Sequence, residues 1–183
     1  VFYDAQSILP NMFPNSESFQ DAAQKLGIHK DSIIVVYDNL GIYTAPRAWW
    51  MLKSMGLRNV GVLDGGLTAW KRNGYACEAK QQKEYTKGTF EVHYNSNQVC
   101  DAEFVLQNLD NKEIMIIDAR SPGRFSGSDP EPRPNMQSGH IPGSVNMPFR
   151  TLLSEGKMKT PVELNAIFES IDLKNKTIVF SCG

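Results

Sequence analysis

The sequence predicts an α/β fold in which helices alternate with strands of parallel sheets. Continuous runs of β-branched residues without alternation, such as residues 33–37, are typical of strands buried on both faces of a parallel sheet. Segments with apolar residues at helical spacing lie between these runs. The length of 183 residues fits one large domain or two small ones.

In the first half of the chain the predicted elements alternate regularly. Residues 16–27 form a helix with Ser16 as its expected N-cap and Gly27 as its stop. The elements that follow are a strand over 33–37, a helix over 45–55 with Pro46 in its first turn, a strand over 59–63 and a helix from Gly66.

The second half is expected to repeat this pattern after a linker. Residues 76–97 are polar and lack a helical or strand period, so we interpret them as a linker between domains at 1–75 and 98–183. The predicted elements after it are a helix over 101–109, a strand over 113–118, a Gly/Pro-rich loop over 122–134, a turn region over 139–149, a helix over 160–171 and a strand over 177–180.

When the sequence is aligned with itself at an offset of 144 residues, the two copies match in pattern without a gap. The offset aligns the helix that begins near Ser16 with the one near Thr160, and the strand before Asp38 with the strand before Cys182. Chance similarity of two βα units is the alternative. Each copy lacks segments that the other has, which predicts two incomplete domains in an internal piece of a longer protein.

Charge and cysteine usage exclude several classes of function. The net charge of −1 gives no bulk attraction to nucleic acid or to an anionic membrane. Three cysteines do not form a disulfide framework, and the widely spaced histidines and cysteines predict neither a metal site nor a cofactor. Free thiols indicate a reducing compartment, hence the cytoplasm, or a mitochondrion in a eukaryote.

The candidate nucleophile is Cys182, which directly follows a buried strand. The carboxyl ends of parallel strands are where α/β sheets bind ligands, and the loop amides and helix N-terminus that normally follow favour a thiolate. Gly183 allows close approach of the backbone.

Arg124 and Arg133 lie in a loop after the strand that ends at Asp118, and arginine can bind a carboxylate through two parallel hydrogen bonds. We expect these arginines to bind an anionic substrate.

Several motifs resemble those of two-domain sulfurtransferases of the rhodanese type. Those that resemble the catalytic C-terminal domain are Asp118-Ala119-Arg120, Gly123-Arg124-Phe125, Pro130-Glu131-Pro132-Arg133, Gly139-His140-Ile141-Pro142-Gly143 and Ser181-Cys182-Gly183. Those that resemble the inactive N-terminal domain are residues 45–52, which include Pro46 and two tryptophans, and residues 63–70, which include Asp64-Gly65-Gly66.

The resemblance implies a persulfide mechanism. Cys182 would attack the outer sulfur of the donor, hold it as a persulfide and pass it to cyanide or a thiol acceptor, such as a small thiol or a thioredoxin-like protein. Arg124 and Arg133 would bind the anionic end of the donor. Gly183 and Arg133 resemble the branch that uses 3-mercaptopyruvate, whereas thiosulfate-preferring members place cationic residues after the cysteine.

Some residues depart from the family pattern, and other functions stay open. The segment 11–14 is shorter than its counterpart, so no general base is assigned, and His140 is interpreted as part of a turn. The alternatives are a thiosulfate sulfurtransferase, a phosphatase of the same fold and a non-catalytic module or inactive fragment. A chain that ended at Gly183 would be expected to transfer sulfur poorly.

Overall fold

The computed structural model describes residues 2–9, 11–79, 84–132 and 136–182. The chain divides into two compact units, Val1–Gln98 and Val99–Gly183. Each unit contains parallel strands with helices between them, which confirms the α/β fold class.

In the first unit, two parallel strands are joined through a helix. Strands β1 and β2 pair in register, with Ile34 opposite Val60 and Val36 opposite Val62. The elements in chain order are α1 (Ser16–Lys25), β1 (Ile34–Val36), α2 (Ala45–Ser54), β2 (Val60–Val62), α3 (Gly66–Arg72) and a 3₁₀ turn at Ser96–Gln98.

The core of the first unit lies between α1 and α2. Phe19 of α1 stacks on Phe2 with ring centroids 4.5 Å apart and meets Phe90 edge-on at 6.4 Å. The buried cluster consists of Phe19, Ala23, Met51, Leu52, Met55, Leu57 and Phe90. Apolar residues at helical spacing thus bury one face of each helix, as the sequence predicts.

The second half of the predicted linker packs on the first unit. The N–H of Gly88 donates to the carbonyl of Gln24 at 2.8 Å, and that of Phe90 donates to Ile28 at 3.1 Å. A Cβ on Gly88 would lie 2.0 Å from the Ile28 carbonyl oxygen, so only glycine fits this approach. Phe90 is 2% exposed. The described residues from 84 to 98 therefore belong to the first unit, which ends at Gln98.

The second unit is built on a three-stranded parallel sheet with the order β4-β3-β7. A short antiparallel hairpin, β5-β6, lies outside this sheet. The elements in chain order are α4 (Ala102–Gln107), β3 (Ile114–Asp118), α5 (Pro122–Ser126), β4 (Val145–Asn146), a 3₁₀ turn at Phe149–Leu152, β5 (Leu153–Ser154), β6 (Lys157–Met158), α6 (Pro161–Glu169) and β7 (Thr177–Ser181).

Three details differ from the sequence-based expectations. The N-cap of α1 is Asn15, not Ser16, because the Asn15 side chain accepts from the N–H of Ser18. The expected loop over 122–134 begins with the short helix α5, which has a proline at its first position. Strand β1 is not buried on both faces, since Val35 is 58% exposed.

The element bounds support the internal repeat. Adding 144 to the bounds of α1 gives 160–169, and α6 spans Pro161–Glu169. The same offset moves β1 to 178–180, inside β7. In each unit a helix therefore leads into a parallel strand, and the strand is followed by Asp38 in one unit and Cys182 in the other.

Candidate active site

Cys182 is exposed and directly follows β7 in the second unit. Ser181, the last residue of β7, lies opposite Asp118, the last residue of β3. The N–H of Ala119 donates to the Ser181 carbonyl at 2.9 Å, which fixes the two strand ends side by side. The thiol and the residues after Asp118 therefore share the carboxyl edge of the sheet, where ligands bind in α/β folds.

A groove of about 480 Å³ borders Cys182. Among the residues that the structure describes, its lining contains no lysine or arginine and one carboxylate, that of Asp101. The remaining lining is apolar or weakly polar and includes Cys100, Val105, Leu109 and Phe180.

Beside this edge, two arginines and two carboxylates form a chain of ion pairs. Arg120 donates through Nε to both carboxylate oxygens of Asp118 at 3.0 Å and through Nη1 to Glu131 Oε1 at 2.8 Å. Its Nη2 also donates to the carbonyl of Gly139 at 2.6 Å. Arg124 donates to the same Glu131 carboxylate through Nε and Nη2, and its Nη2 lies 2.5 Å from Oε2.

The side chains of Asp118 and Glu131 are each 2% exposed, so these charges depend on one another. Burial alone would raise the pKa of Asp118, but the hydrogen bonds and charge of Arg120 outweigh it and hold that pKa below its usual range. The Arg124 and Arg120 guanidinium groups lower the pKa of Glu131 despite its burial. Both carboxylates are therefore ionised at neutral pH.

Arg124 is thus only partly available to a substrate. Its Nε–Nη2 edge is occupied by Glu131, and its side chain is 20% exposed. Among the described residues, no acceptor takes a hydrogen bond from its Nη1. The edge formed by Nη1 and the second Nη2 hydrogen can still bind a carboxylate. The other two expected substrate ligands, Arg133 and Gly183, lie outside the described residues.

His140 connects α5 to the turn before β4. Its ring stacks on Phe125 at 3.8 Å, and its Nδ1 lies 2.7 Å from the Phe125 carbonyl oxygen. These contacts support the structural interpretation of this residue.

In the first unit, the residue at the position equivalent to Cys182 is held by backbone amides. Asp38 Oδ2 accepts from the N–H groups of Tyr43, Thr44 and Ala45 at 2.8, 2.8 and 3.0 Å, and Oδ1 accepts from Leu40 at 2.8 Å. We call this loop, residues 38–45, the amide cradle. The N-cap of α2, Thr44, makes no side-chain cap bond, so the Asp38 carboxylate takes that role.

The cradle favours the charged form of the group it holds. Burial would raise the pKa of Asp38, but the four amide hydrogen bonds outweigh this effect and lower it below its ordinary value. Gly66 makes the arrangement possible, because a Cβ there would lie 2.5 Å from the Asp38 carbonyl oxygen. The cradle borders a cavity of about 530 Å³.

Sequence reasoning did not find the role of Glu131 or the cradle around Asp38. Glu131 was part of a recognised motif, but its pairing with two arginines has no local signal.

In the described part of the chain, no three potential metal ligands cluster together. None of the described helices has the length and apolar character to cross a membrane.

Asp38→Asn should destabilise the first unit in a pH-dependent way. Asn can offer one oxygen to the three clustered amides, but its NH₂ group then faces the N–H of Leu40. Because Asp38 is half-buried, we expect a loss of about 1–2 kcal/mol at pH 7. Tryptophan fluorescence during urea unfolding measures it, since Trp49, Trp50 and Trp70 all lie in this unit.

The sign of the pH dependence follows from the lowered pKa. The Asp38 carboxylate contributes its full stabilisation above the unfolded-state pKa of about 4, and that contribution is lost as the pH falls through the lower folded-state pKa. The difference between wild type and variant should therefore shrink below about pH 4. Asp31→Asn, at an exposed aspartate, serves as the control. Equal stability of wild type and Asp38→Asn at pH 7 would contradict the role of the cradle.

Comparison with known proteins identifies the family. The model of the rhodanese-like domain matches residues 4–73 and 101–183. The chain is 38% identical to 3-mercaptopyruvate sulfurtransferase of Escherichia coli K12, covering 100% of this chain and 67% of that protein. It is 36% identical to the human enzyme of the same name, covering 98% and 62% of the two chains. It is 40% identical to bovine thiosulfate sulfurtransferase, covering 93% and 59%.

Solved structures agree with this assignment. The crystal structure of the 3-mercaptopyruvate sulfurtransferase SseA from Escherichia coli superposes with a TM-score of 0.87 at 37% identity, covering 100% of this chain and 68% of that one. The Tum1 protein from Saccharomyces cerevisiae gives a TM-score of 0.86 at 31% identity, covering 100% and 66%. This chain spans about two thirds of the length of these relatives, and it belongs to the rhodanese-like family of sulfurtransferases, with two domains of that family in tandem.

Proposed function

We propose that the whole protein is a sulfurtransferase that takes sulfur from 3-mercaptopyruvate through a persulfide on Cys182. The observation that carries this proposal is an exposed thiol at the carboxyl edge of a parallel sheet, where the neighbouring strand β3 is followed by an ion-paired arginine cluster. The relatives named above are sulfurtransferases, which supports the reaction class.

The groove beside Cys182 favours a 2-oxo acid over thiosulfate. Thiosulfate carries two negative charges near the transferred sulfur, so its site benefits from cations close to the nucleophile. The described lining of the groove has no cation, and the Asp101 carboxylate would repel a dianion. In 3-mercaptopyruvate the single carboxylate is separated from the sulfur and can be bound farther away.

We assign the binding of that carboxylate to the remaining edge of Arg124. Glu131 holds the Nε–Nη2 side of the guanidinium, so the Nη1–Nη2 edge has a defined orientation before the donor arrives. Arg133 follows Glu131 by two residues and would provide a second ligand. Each arginine is thus a binding residue for the donor and not a participant in the bond changes.

The transfer step needs a nucleophile, a leaving group and a proton. The Cys182 thiolate attacks the sulfur of 3-mercaptopyruvate and a new S–S bond forms. The C–S bond breaks, its electron pair stays with carbon as the enolate of pyruvate, and this enolate takes a proton. An acceptor thiol, or cyanide, then attacks the outer sulfur and regenerates the Cys182 thiolate.

A reducing compartment fits this cycle. Three exposed cysteines are unpaired in the described structure, and the nucleophile must stay reduced between turnovers. We therefore place the protein in the cytoplasm, or in a mitochondrion if the source is a eukaryote, with a small thiol or a thioredoxin-like protein as acceptor.

A brief incubation of the whole protein with 3-mercaptopyruvate should, as its first product, add the mass of one sulfur atom to the peptide that contains Cys182. Intact-mass spectrometry followed by peptide mapping measures this gain. Thiosulfate at the same concentration should load the protein more slowly, because the described lining of the groove has no lysine or arginine.

Cys182→Ser is the decisive variant in this experiment, and Cys77→Ser is the matched control at another exposed cysteine. The first should gain no sulfur and the second should load like the wild type. Unchanged loading of Cys182→Ser would remove Cys182 as the nucleophile, and faster loading by thiosulfate would reverse the choice of donor.

Arg124→Lys should raise the KM for 3-mercaptopyruvate and leave the fold intact. A lysine ammonium cannot bind Glu131 and a substrate carboxylate through two separate planar edges. The loss of a charged hydrogen bond of roughly 1.5–3 kcal/mol corresponds to a KM about 10- to 150-fold higher. Steady-state kinetics measure the change, and Arg58→Lys, at an exposed arginine of the first unit, is the control. An unchanged KM would make Arg124 a purely structural partner of Glu131.

A further inference from the structure

Cys182 shares its groove with a second thiol. Cys100 lies on the same lining, directly before Asp101, whose carboxylate caps α4 by accepting from the N–H of Phe104 at 2.8 Å. Both cysteines are exposed. The third cysteine, Cys77, belongs to the first unit and is not part of this groove.

The topology of the second unit explains why both thiols line the same groove. Helix α4 is joined to β3 by the short connection 108–113, so it runs opposite to β3 along the sheet. Its N-terminus therefore lies at the edge where β3 and β7 end. Cys100 precedes this N-terminus and Cys182 follows β7, which brings both residues to one edge from separate parts of the chain.

We propose that Cys100 is an internal acceptor, which receives the sulfur that Cys182 has taken from the donor. This inference rests on the proposed function, because it requires a persulfide on Cys182. It adds a second position for the transferred sulfur within the same groove.

The proposed step balances without an external oxidant or reductant. The Cys100 thiol loses its proton to solvent, and its sulfur attacks the outer sulfur of the Cys182 persulfide. An S–S bond forms on Cys100 while the S–S bond on Cys182 breaks. The electron pair of the broken bond stays on Cys182 as a thiolate, ready for another donor molecule.

Transfer of the outer sulfur requires a less close approach of the two cysteines than a direct disulfide does. A disulfide requires Cα atoms within about 7 Å of each other. A persulfide carries its outer sulfur about 2 Å beyond the cysteine sulfur, so Cys100 can reach it across a wider gap. Both cysteines also lie outside helices and strands, which lets each side chain adjust.

The surroundings of Cys100 suit an acceptor more than a primary nucleophile. Partial desolvation by neighbouring groups raises the pKa of the Cys100 thiol, although the residue is exposed overall, and the charge of Asp101 raises it further. Cys100 is therefore mostly protonated at neutral pH and competes weakly for the free donor. A persulfide formed in the same groove is presented to it at a high effective concentration, which compensates for the small thiolate fraction.

The test follows the sulfur on each cysteine over time. The whole protein is given a short pulse of 3-mercaptopyruvate, freed of donor without any added thiol, quenched with iodoacetamide at intervals and mapped by peptide mass spectrometry. In the wild type, the mass of one sulfur atom should be found on Cys182 at early times and on Cys100 at later times. Cys77→Ser should give the same time course.

Two variants separate this inference from the proposed function. In Cys100→Ser the sulfur should load on Cys182 and stay there, and in Cys182→Ser neither cysteine should gain sulfur. Loading of Cys182 with no later gain at Cys100 in the wild type would overturn the inference and leave the proposed function intact. A Cys100–Cys182 disulfide with released sulfide, or direct loading of Cys100 in Cys182→Ser, would also overturn it. Absence of sulfur on Cys182 in Cys100→Ser would overturn both proposals.

Discussion

Four backbone N–H groups converge on the Asp38 carboxylate after a parallel strand, and this contact ties the segment that follows β1 to the start of α2. Amides at the start of a helix need acceptors, and the helix dipole favours an anion there. Gly66 lets the neighbouring segment approach the strand end without a clash. The offset of 144 residues aligns Asp38 with Cys182 of the second unit. The internal repeat therefore places the proposed nucleophile where the first unit holds a carboxylate anion.

The second unit surrounds its strand end with side-chain charges as well. Asp118 ends β3 and pairs with Arg120 two residues later, and Glu131 connects Arg120 to Arg124 on α5. Buried carboxylates and guanidinium groups of this kind are stable only as a connected set. Among the described residues, this set leaves Nη1 of Arg124 without a hydrogen-bond acceptor. Under the proposed function, Arg124 would bind the donor's carboxylate away from the groove, whose described lining has no cation beside Cys182.

Local patterns predicted most of the helices and strands, whereas contacts between distant residues escaped them. The β-branched runs before Asp38 and Cys182 form parallel strands, as expected. A continuous apolar run does not reveal whether a sheet face is covered, so the exposure of Val35 was not foreseen. Residues 84–98 show no hydrophobic period, because backbone hydrogen bonds from an extended segment hold them on the first unit. One such bond runs from the N–H of Phe90 to the carbonyl of Ile28. Glu131 lies 11 residues from Arg120, and no local spacing rule predicts that pair.

The strand end of the first unit stabilises an anion through the amide cradle, and one substitution tests this most directly. Asp38→Cys places a thiol on the amide cradle, and the rate of its alkylation by iodoacetamide can be followed against pH in a protein whose other cysteines are replaced by serine. The account predicts an introduced thiol that ionises well below the ordinary cysteine pKa of about 8.5. A thiol that ionises at or above that value would contradict the account, because the amides would then not stabilise a negative sulfur.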